Sequence, residues 1–314
     1  MKIVFFGTSS FSAQILQNLL AKSFNIAAVV TRPDKPRGRS LQLDCPPVKK
    51  YLQDASSHIP IFQPEKASAA EFEEILRTIE ADLFLVVAYG EILKQNILDL
   101  PKKKCINIHA SLLPSYRGAA PIHRCIMNGD KRTGITIIEM VRQMDAGDIL
   151  AQESFEISKE MNFKDVEARL LEISYTLLDE ILNHFDQFYA QKKAQDLDKV
   201  TFAAKISQED LEIKWVDEAS LIFNKIRAFS PSPGAWCKIL IGSEIKRIKI
   251  FSSKSVQDYE KPPGSLIANE KELIISCLHG AIAPLEVQLE GKKRMSISEF
   301  LKGLNQKISF PILE

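Results

Sequence analysis

The run LFLVVA, residues 83–88, decides the fold, because an unbroken series of apolar residues is typical of a strand buried on both faces. Similar runs occur on either side of it, at Ile3–Phe6, Ile26–Val30, Cys105–His109 and Gly134–Met140. Helical patterns separate these runs, at Ser12–Lys22, Pro47–Asp54, Ala70–Glu80 and Ile92–Leu98. This alternation predicts β-α-β units and therefore a Rossmann-like, mostly parallel sheet.

The sequence pattern changes after residue 190. Apolar residues recur at helical spacing from Asn162 to Ala190, and a polar stretch then follows. Beyond it we expect one helix near Asp217–Phe229, and then five short strands that form a small, OB-like β-barrel. The predicted strands are Trp236–Ile241, Ile245–Phe251, Ser265–Ala268, Leu273–Leu278 and Ala283–Leu289. We therefore expect an α/β catalytic domain at 1–190, a linker at 191–206 and a β-barrel domain at 207–314.

Bulk composition excludes several classes of protein. The 314 residues carry a formal net charge of +1, so no global positive field points to nucleic acid, and any such partner must be bound by a local patch. The five cysteines form no C-x-x-C pair, and three of them lie in apolar runs, which favours free buried thiols and a reducing compartment. The N-terminus lacks the pattern of a signal peptide, and no apolar run reaches the length of a membrane span. We expect a cytoplasmic protein.

Three residues could carry chemistry together. Asn107 and His109 lie two positions apart in a predicted strand, so both side chains project from the same face at its carboxyl end. Asp145 lies in the loop MDAGD after the next strand and could meet them in space. An amide donor and a protonated imidazole would stabilise an oxyanion, while a carboxylate would keep His109 charged. This set suits the attack of an amine on a carbonyl carbon.

Two other motifs are less decisive. The segment FFGTSSF follows the first strand as a dinucleotide-binding loop would, but it has only Gly7 where that motif needs three glycines. The basic loop TRPDKPRGR, residues 31–39, has four positive charges against one carboxylate. Composition leaves open whether this loop is simply solvated or binds phosphates and nucleotide edges.

Several motifs resemble those of the folate-dependent formyltransferases, namely INIHASLLPSYRGAAP, VVAYG at residues 86–90 and MDAGD. The resemblance implies that Asn107, His109 and Asp145 are catalytic and that 10-formyltetrahydrofolate is the formyl donor. It also implies that the folate-binding residues are Val87, Tyr89, Gly90, Ser111, Leu112, Leu113 and Pro114. For Gly90, the alternative is a turn that needs glycine and contacts no ligand.

Further motifs resemble the branch of that family that formylates initiator methionyl-tRNA. These are the opening FFGTSSF, the basic loop and the segment IRAFSPSPGAW at 226–236, and with the motifs above they extend along nearly the whole chain. The resemblance implies that the C-terminal domain contacts tRNA and that the basic loop reaches the acceptor end. The implied tRNA-binding residues are Arg32, Lys35, Arg37 and Arg39.

The expected function is therefore formyl transfer to the α-amino group of methionyl-tRNA, by a monomer that needs no metal. The nearest alternative is a formyltransferase for a small amine, which would share the three catalytic residues but have no use for the basic loop. A second alternative is a non-catalytic RNA-binding protein, and the intact Asn, His and Asp set argues against it. An assay of folate and tRNA turnover distinguishes the three.

Overall fold

The computed structural model describes residues 1–37, 42–257, 259–269, 271–304 and 306–311. It confirms the expected class, with a parallel-dominated α/β sheet in the N-terminal region and a barrel-like antiparallel sheet in the C-terminal region. The helices are α1 Ser10–Ala21, α2 Pro47–Asp54, α3 Ala70–Ile79, α4 Gln95–Leu98, α5 Pro121–Asn128, α6 Phe163–Asn183, α7 Phe185–Ala190, α8 Ala219–Ala228 and α9 Ile297–Lys302. The strands of the N-terminal region are β1 Ile3–Gly7, β2 Ile26–Val30, β3 Lys35–Arg37, β4 Gln42–Asp44, β5 Ile61–Phe62, β6 Leu83–Val87, β7 Lys104–His109, β8 Arg117–Gly118, β9 Arg132–Glu139, β10 Ile149–Glu156 and β11 Phe202–Ala203. Those of the C-terminal region are β12 Ala235–Ile241, β13 Glu244–Val256, β14 Leu266–Ala268, β15 Leu273–Ser276, β16 Ala281–Leu289, β17 Met295–Ser296 and β18 Ile308–Ser309.

The N-terminal sheet has the strand order β10-β9-β7-β6-β1-β2-β5. The pairs from β7 to β5 are parallel, and β9 runs antiparallel to β7. All five residues of β6 are buried between β1 and β7, as its continuous apolar sequence predicts. Because β1, β2, β6 and β7 are parallel, their carboxyl ends share one edge of the sheet, where ligands bind in such folds.

Local sequence patterns predict most elements to within a few residues. The helix predicted at residues 162–190 is instead α6 and α7, because His184 leaves helical geometry at φ −126° and ψ 35°. Strand β10 was not predicted, since most of its residues are exposed or half-buried at the edge of the sheet and give no clear apolar run.

Packing separates the chain into two compact units. The first comprises residues 1–118, 133–155 and 167–203, and the second comprises the remainder, including 119–132 and 156–166. In the second unit, α5 packs on α8. Arg124 of α5 donates two hydrogen bonds, of 2.7 and 2.8 Å, to the Asp210 carboxylate. The domain boundaries expected from the sequence at 190 and 207 stay predictions.

The second unit is built on the antiparallel order β14-β15-β16-β13-β12-β18, with β17 added to β16. Strands β13 and β16 form the longest pair, and their register shifts near Ser252, where the ladder is irregular. Apolar side chains from α8, from the chain on either side of it and from the sheet form the core, including Ile222 of α8, Trp215 before it and Phe229 after it. This sheet accounts for the short strands and turns of the C-terminal sequence.

Candidate active site

Strand β7 presents Asn107 and His109 on one face of the sheet. Their neighbours Ile106 and Ile108 are buried, and the strand is fixed by β6 on one side and β9 on the other. His109 pairs with Thr136 of β9 and is only 5% exposed. The strand register therefore sets the direction of both functional side chains.

Asp145 enters the site from the loop between β9 and β10. Its backbone is left-handed, with φ +51°. Two residues later, a side chain at Gly147 would place Cβ 1.8 Å from the Glu139 carbonyl oxygen, so only glycine fits there. The glycine of MDAGD thus follows from the tight path of the loop that brings Asp145 to β7.

The Asp145 carboxylate is the centre of the site. Its Oδ2 accepts a hydrogen bond of 2.8 Å from the Gly118 N–H and lies 3.6 Å from His109 Nδ1. Its Oδ1 lies 3.4 Å from Asn107 Nδ2. The structure thus brings together the three residues that the sequence predicted as catalytic. The side chains of His109 and Asp145 are 6% and 12% exposed, so little water screens the pair.

Both nitrogens of the His109 ring face acceptor oxygens. Nε2 lies 2.9 Å from the Tyr116 carbonyl oxygen, which can only accept, so Nε2 carries a proton. Nδ1 faces the Asp145 carboxylate, which is also an acceptor.

The segment from Ser111 to Pro114 is fixed by a hydrogen-bond network from the neighbouring strands. Thr136 Oγ1 donates to the Ser111 carbonyl oxygen at 2.6 Å and accepts from the Leu113 N–H at 3.1 Å. Gln152 Nε2 donates to the Leu113 carbonyl oxygen at 2.9 Å. Ser111 and Leu113 are buried, whereas Leu112 and Pro114 keep partly exposed surface. Ser111 and Leu113 therefore support the segment, and Leu112 and Pro114 can contact a ligand.

The segment from Val87 to Gly90 follows β6 beside the site. Val87 is buried, and its carbonyl oxygen accepts from Ser12 Oγ at 2.6 Å. The Tyr89 ring lies in the core against Phe6, and burial raises the pKa of its hydroxyl to about 12. Gly90 is exposed at φ +83°, and a Cβ there would meet no described atom within 4 Å. Of the three predicted folate contacts in this segment, Gly90 is the one with open space beside it.

Within the basic loop, β3 lies antiparallel to β4, and Lys35 is opposite Asp44 in the strand register. Asp34 is bound by Lys49 Nζ and Gln63 Nε2, both at 2.7 Å, so its charge is already balanced. Arg32 forms an ion pair with Glu91, next to Gly90. Lys35 is exposed. Arg39 and the Arg37 side chain lie outside the residues that the structure describes.

Sequence reasoning missed several residues that contact the site, and two of them lie in the stretch predicted as a linker. Gln195 lies in the stretch predicted as a linker, yet it is buried and bonds to the carbonyl oxygens of Asp145 and Gly147. Thr201 accepts the Tyr116 N–H at 2.9 Å. Both are polar residues in a polar stretch, which resembles any exposed connection. The neighbouring sequence does not indicate their role, because their hydrogen-bond partners lie 50 and 85 residues away.

The described residues contain neither a metal-binding cluster nor a membrane-spanning helix. No group of three or more His, Cys, Asp or Glu side chains in the described ranges could hold a metal ion. In the same ranges, no helix has both the length and the apolar character needed to cross a membrane.

Known proteins match this chain along both regions. Residues 1–182 match the family model described as formyl transferase, and residues 205–305 match the one described as formyl transferase, C-terminal domain. The methionyl-tRNA formyltransferase of Protochlamydia amoebophila is 43% identical over 307 residues, covering 98% of this chain and 96% of the relative. That of Staphylococcus epidermidis is 39% identical over 315 residues and covers 99% of each.

Solved structures share the fold at lower identity. The sugar 3N-formyl transferase WlaRD, in the presence of dTDP and 5-N-formyl-THF, has a TM-score of 0.65 and 21% identity, covering 93% of this chain and 99% of its own. HypX from Aquifex aeolicus, in complex with tetrahydrofolic acid, has a TM-score of 0.65 and 19% identity, covering 98% of this chain and 48% of its own. These structures share the fold, while the family models and the relatives show that the chain belongs to the methionyl-tRNA formyltransferase family.

Proposed function

We propose that this chain transfers the formyl group of 10-formyltetrahydrofolate to the α-amino group of initiator methionyl-tRNA, with Asn107, His109 and Asp145 as its catalytic residues. The observation that carries the proposal is the convergence of Asn107 and His109 on one carboxylate, at 3.4 and 3.6 Å, beside the carboxyl end of β7. Relatives that match nearly the whole chain bear the name of this activity. All three residues belong to one chain, so a monomer is sufficient for this site.

The roles of the three residues follow from their chemistry. The bound folate donor supplies a formyl carbon that the amine attacks, and the bond from that carbon to N10 then breaks. As the amine attacks, negative charge develops on the formyl oxygen. Asn107 Nδ2 donates to that oxygen through the hydrogen that does not face Asp145. Both ring nitrogens of His109 already face Tyr116 and Asp145, so the His109 imidazolium stabilises the oxygen by its positive charge. Asp145 keeps His109 charged and accepts the proton that the attacking amine loses. The leaving nitrogen takes up a proton, so the products are N-formylmethionyl-tRNA and tetrahydrofolate.

Folate is proposed to bind beside these residues, against two chain segments that the structure holds rigidly. Open space next to Gly90 and the partly exposed surfaces of Leu112 and Pro114 fit a flat aromatic ligand. The other four predicted folate residues, Val87, Tyr89, Ser111 and Leu113, are buried and act as supports. Solved structures of the same fold contain tetrahydrofolate or its 5-formyl derivative, which supports a folate donor.

Transfer RNA is proposed to contact the basic loop through Lys35, Arg37 and Arg39. Lys35 is exposed, and the one carboxylate of the loop, Asp34, is already bound by Lys49. Arg32 is proposed to act differently, by fixing the base of the loop to Glu91 beside the folate site. Charged tRNA and reduced folate meet in the cytoplasm, where we place the enzyme.

A competition between acceptors tests the proposal. The purified protein is incubated with 10-formyltetrahydrofolate and equal concentrations of initiator methionyl-tRNA, elongator methionyl-tRNA and an amino-sugar nucleotide. We expect formyl-methionine on initiator tRNA as the main product. Preferential formylation of the sugar nucleotide would contradict the proposed acceptor, and absence of any formyl transfer would contradict the activity.

A further inference from the structure

Gln195 is a buried side chain that joins the Asp145 loop to Arg117. Its Nε2 donates to the carbonyl oxygens of Asp145 and Gly147, both at 2.8 Å. Its Oε1 accepts from Arg117 Nε at 3.1 Å and Nη2 at 2.7 Å. The reverse orientation of the amide would set oxygen against two carbonyl oxygens, so the contacts fix which end faces the loop. Both hydrogens of the amide are used to hold this loop.

The Asp145 loop needs such a support. Asp145 has a left-handed backbone at φ +51°, which a residue with a side chain adopts only when its surroundings impose it. The two carbonyl groups that Gln195 binds belong to Asp145 itself and to Gly147, two residues after it, so they fix the backbone that carries the carboxylate. A shift of this backbone would therefore move the carboxylate itself.

The stretch of chain around Gln195 also binds the backbone of Tyr116 and Arg117, next to the site. We call residues 193–203 the clasp segment. Its Thr201 carbonyl oxygen accepts the Arg117 N–H and its Thr201 Oγ1 accepts the Tyr116 N–H, both at 2.9 Å. The carbonyl oxygen of Tyr116 in turn faces His109 Nε2. The clasp segment thus contacts the neighbours of both His109 and Asp145.

We propose that Gln195 is a positioning residue for formyl transfer, which acts by holding the Asp145 carboxylate at the distance and angle that His109 and the attacking amine require. The proposal rests on the catalytic role proposed above for Asp145. It predicts that loss of the two bonds to the loop slows the chemical step while substrate binding persists. A misplacement of about 1 Å can cost about 100-fold in rate.

Gln195→Glu is the sharpest variant, because it keeps the size of the side chain and an acceptor for Arg117. It replaces the two N–H donors with an oxygen that faces two carbonyl oxygens. We expect the single-turnover rate at pH 8 to fall about 10- to 100-fold, with dissociation constants for folate and tRNA within about threefold of wild type. Gln191→Glu is the matched control, since it makes the same change at an exposed position four residues earlier, and it should keep the wild-type rate.

A double variant separates positioning from a general structural effect. If Gln195 acts through Asp145, then adding Gln195→Glu to Asp145→Asn should lower the rate less than about threefold further, because the group that it positions is already lost. A full additional loss would overturn the proposal, and so would a wild-type rate in the single variant. If Gln195→Glu does not fold, then Gln195→Met, which keeps the length without a charge, is measured in the same way.

The outcomes also distinguish this inference from the proposed function. A wild-type rate in Asp145→Asn alone would contradict the catalytic role of Asp145 and with it the inference. A slow Asp145→Asn protein together with a fast Gln195→Glu protein would overturn only the role of Gln195.

Discussion

Replacing Asp145 by Asn changes the charge at the centre of the site while the side chain keeps its shape. The amide oxygen can still accept the Gly118 N–H that Oδ2 accepts at 2.8 Å. The new NH₂ group then takes the place of Oδ1 and faces Asn107 Nδ2, 3.4 Å away, so two donors oppose each other. The negative charge beside His109 Nδ1 disappears.

The expected size of the effect follows from the 3.6 Å separation of Asp145 Oδ2 and His109 Nδ1. At an effective dielectric constant of about 20, two unit charges at that distance attract by about 4 to 5 kcal/mol. Desolvation of the buried carboxylate offsets part of this attraction. A net loss of about 3 to 4 kcal/mol in the transition state corresponds to a rate about 100- to 1000-fold lower, as for the removal of one preorganised electrostatic group.

A rapid-quench assay measures this loss directly. Enzyme loaded with labelled 10-formyltetrahydrofolate is mixed with excess methionyl-tRNA, and label on the tRNA is followed in a single turnover. Asp148→Asn is the matched control, because it removes a partly exposed carboxylate from the same loop whose partner is Lys192, and its rate should stay within about threefold of wild type. A rate for Asp145→Asn within that same range would refute the electrostatic reasoning.

Three further predictions concern folate, tRNA and stability. Gly90→Val should weaken folate binding about tenfold and leave tRNA binding unchanged. Gly291→Val, at another left-handed position with open space, is the control for backbone strain. Equal folate affinity in both variants would favour the interpretation of Gly90 as a turn residue only. Arg39→Ala should reduce the preference for initiator over elongator tRNA by about 1–3 kcal/mol. Lys35→Ala should weaken the binding of both tRNAs alike and make it less dependent on salt. Steady-state kinetics at several salt concentrations measure both effects. Burial lowers the pKa of His123 to about 4, so this histidine destabilises the fold as pH falls from about 6.5 towards 4. The free energy of unfolding, measured in urea, should therefore fall less between pH 7 and pH 5 in His123→Phe than in the wild type, by at most about 2 kcal/mol. An equal fall in both proteins would contradict this account of His123.

Local periodicity explains why much of the fold could be predicted from the sequence. Buried strands such as β6 and β7 are short apolar runs, and the alternation of side chains in β7 places Asn107 and His109 on one face without any knowledge of their neighbours. The left-handed turn at Asp145 was not predicted, although Gly147, two residues later, indicated a loop. These features depend on residues that are close in the sequence.

Several other features that depend on distant partners were not predicted. Gln195 contacts a loop 50 residues away, and nothing in the polar stretch around it indicates burial. The ion pair of Arg32 with Glu91, 59 residues away, was likewise not predicted, while the predicted contact of Arg32 with tRNA stays a prediction. The VVAYG motif suggested Tyr89 as a ligand contact, but the ring packs into the core against Phe6. In each case the side chain alone is ambiguous, and its tertiary partner decides its role.

The measurement that tests the central claim most directly is single-turnover formyl transfer by a triple variant, Asn107→Ala with His109→Ala and Asp145→Ala. Wild-type protein and the variant are each mixed with labelled 10-formyltetrahydrofolate and initiator methionyl-tRNA, and tRNA affinity is measured in parallel. We predict labelled formyl-methionine with the wild type, and with the variant a rate at least about 1000-fold lower at comparable tRNA affinity. Transfer by the variant at a rate close to that of the wild type, or no transfer by the wild type, would contradict the account.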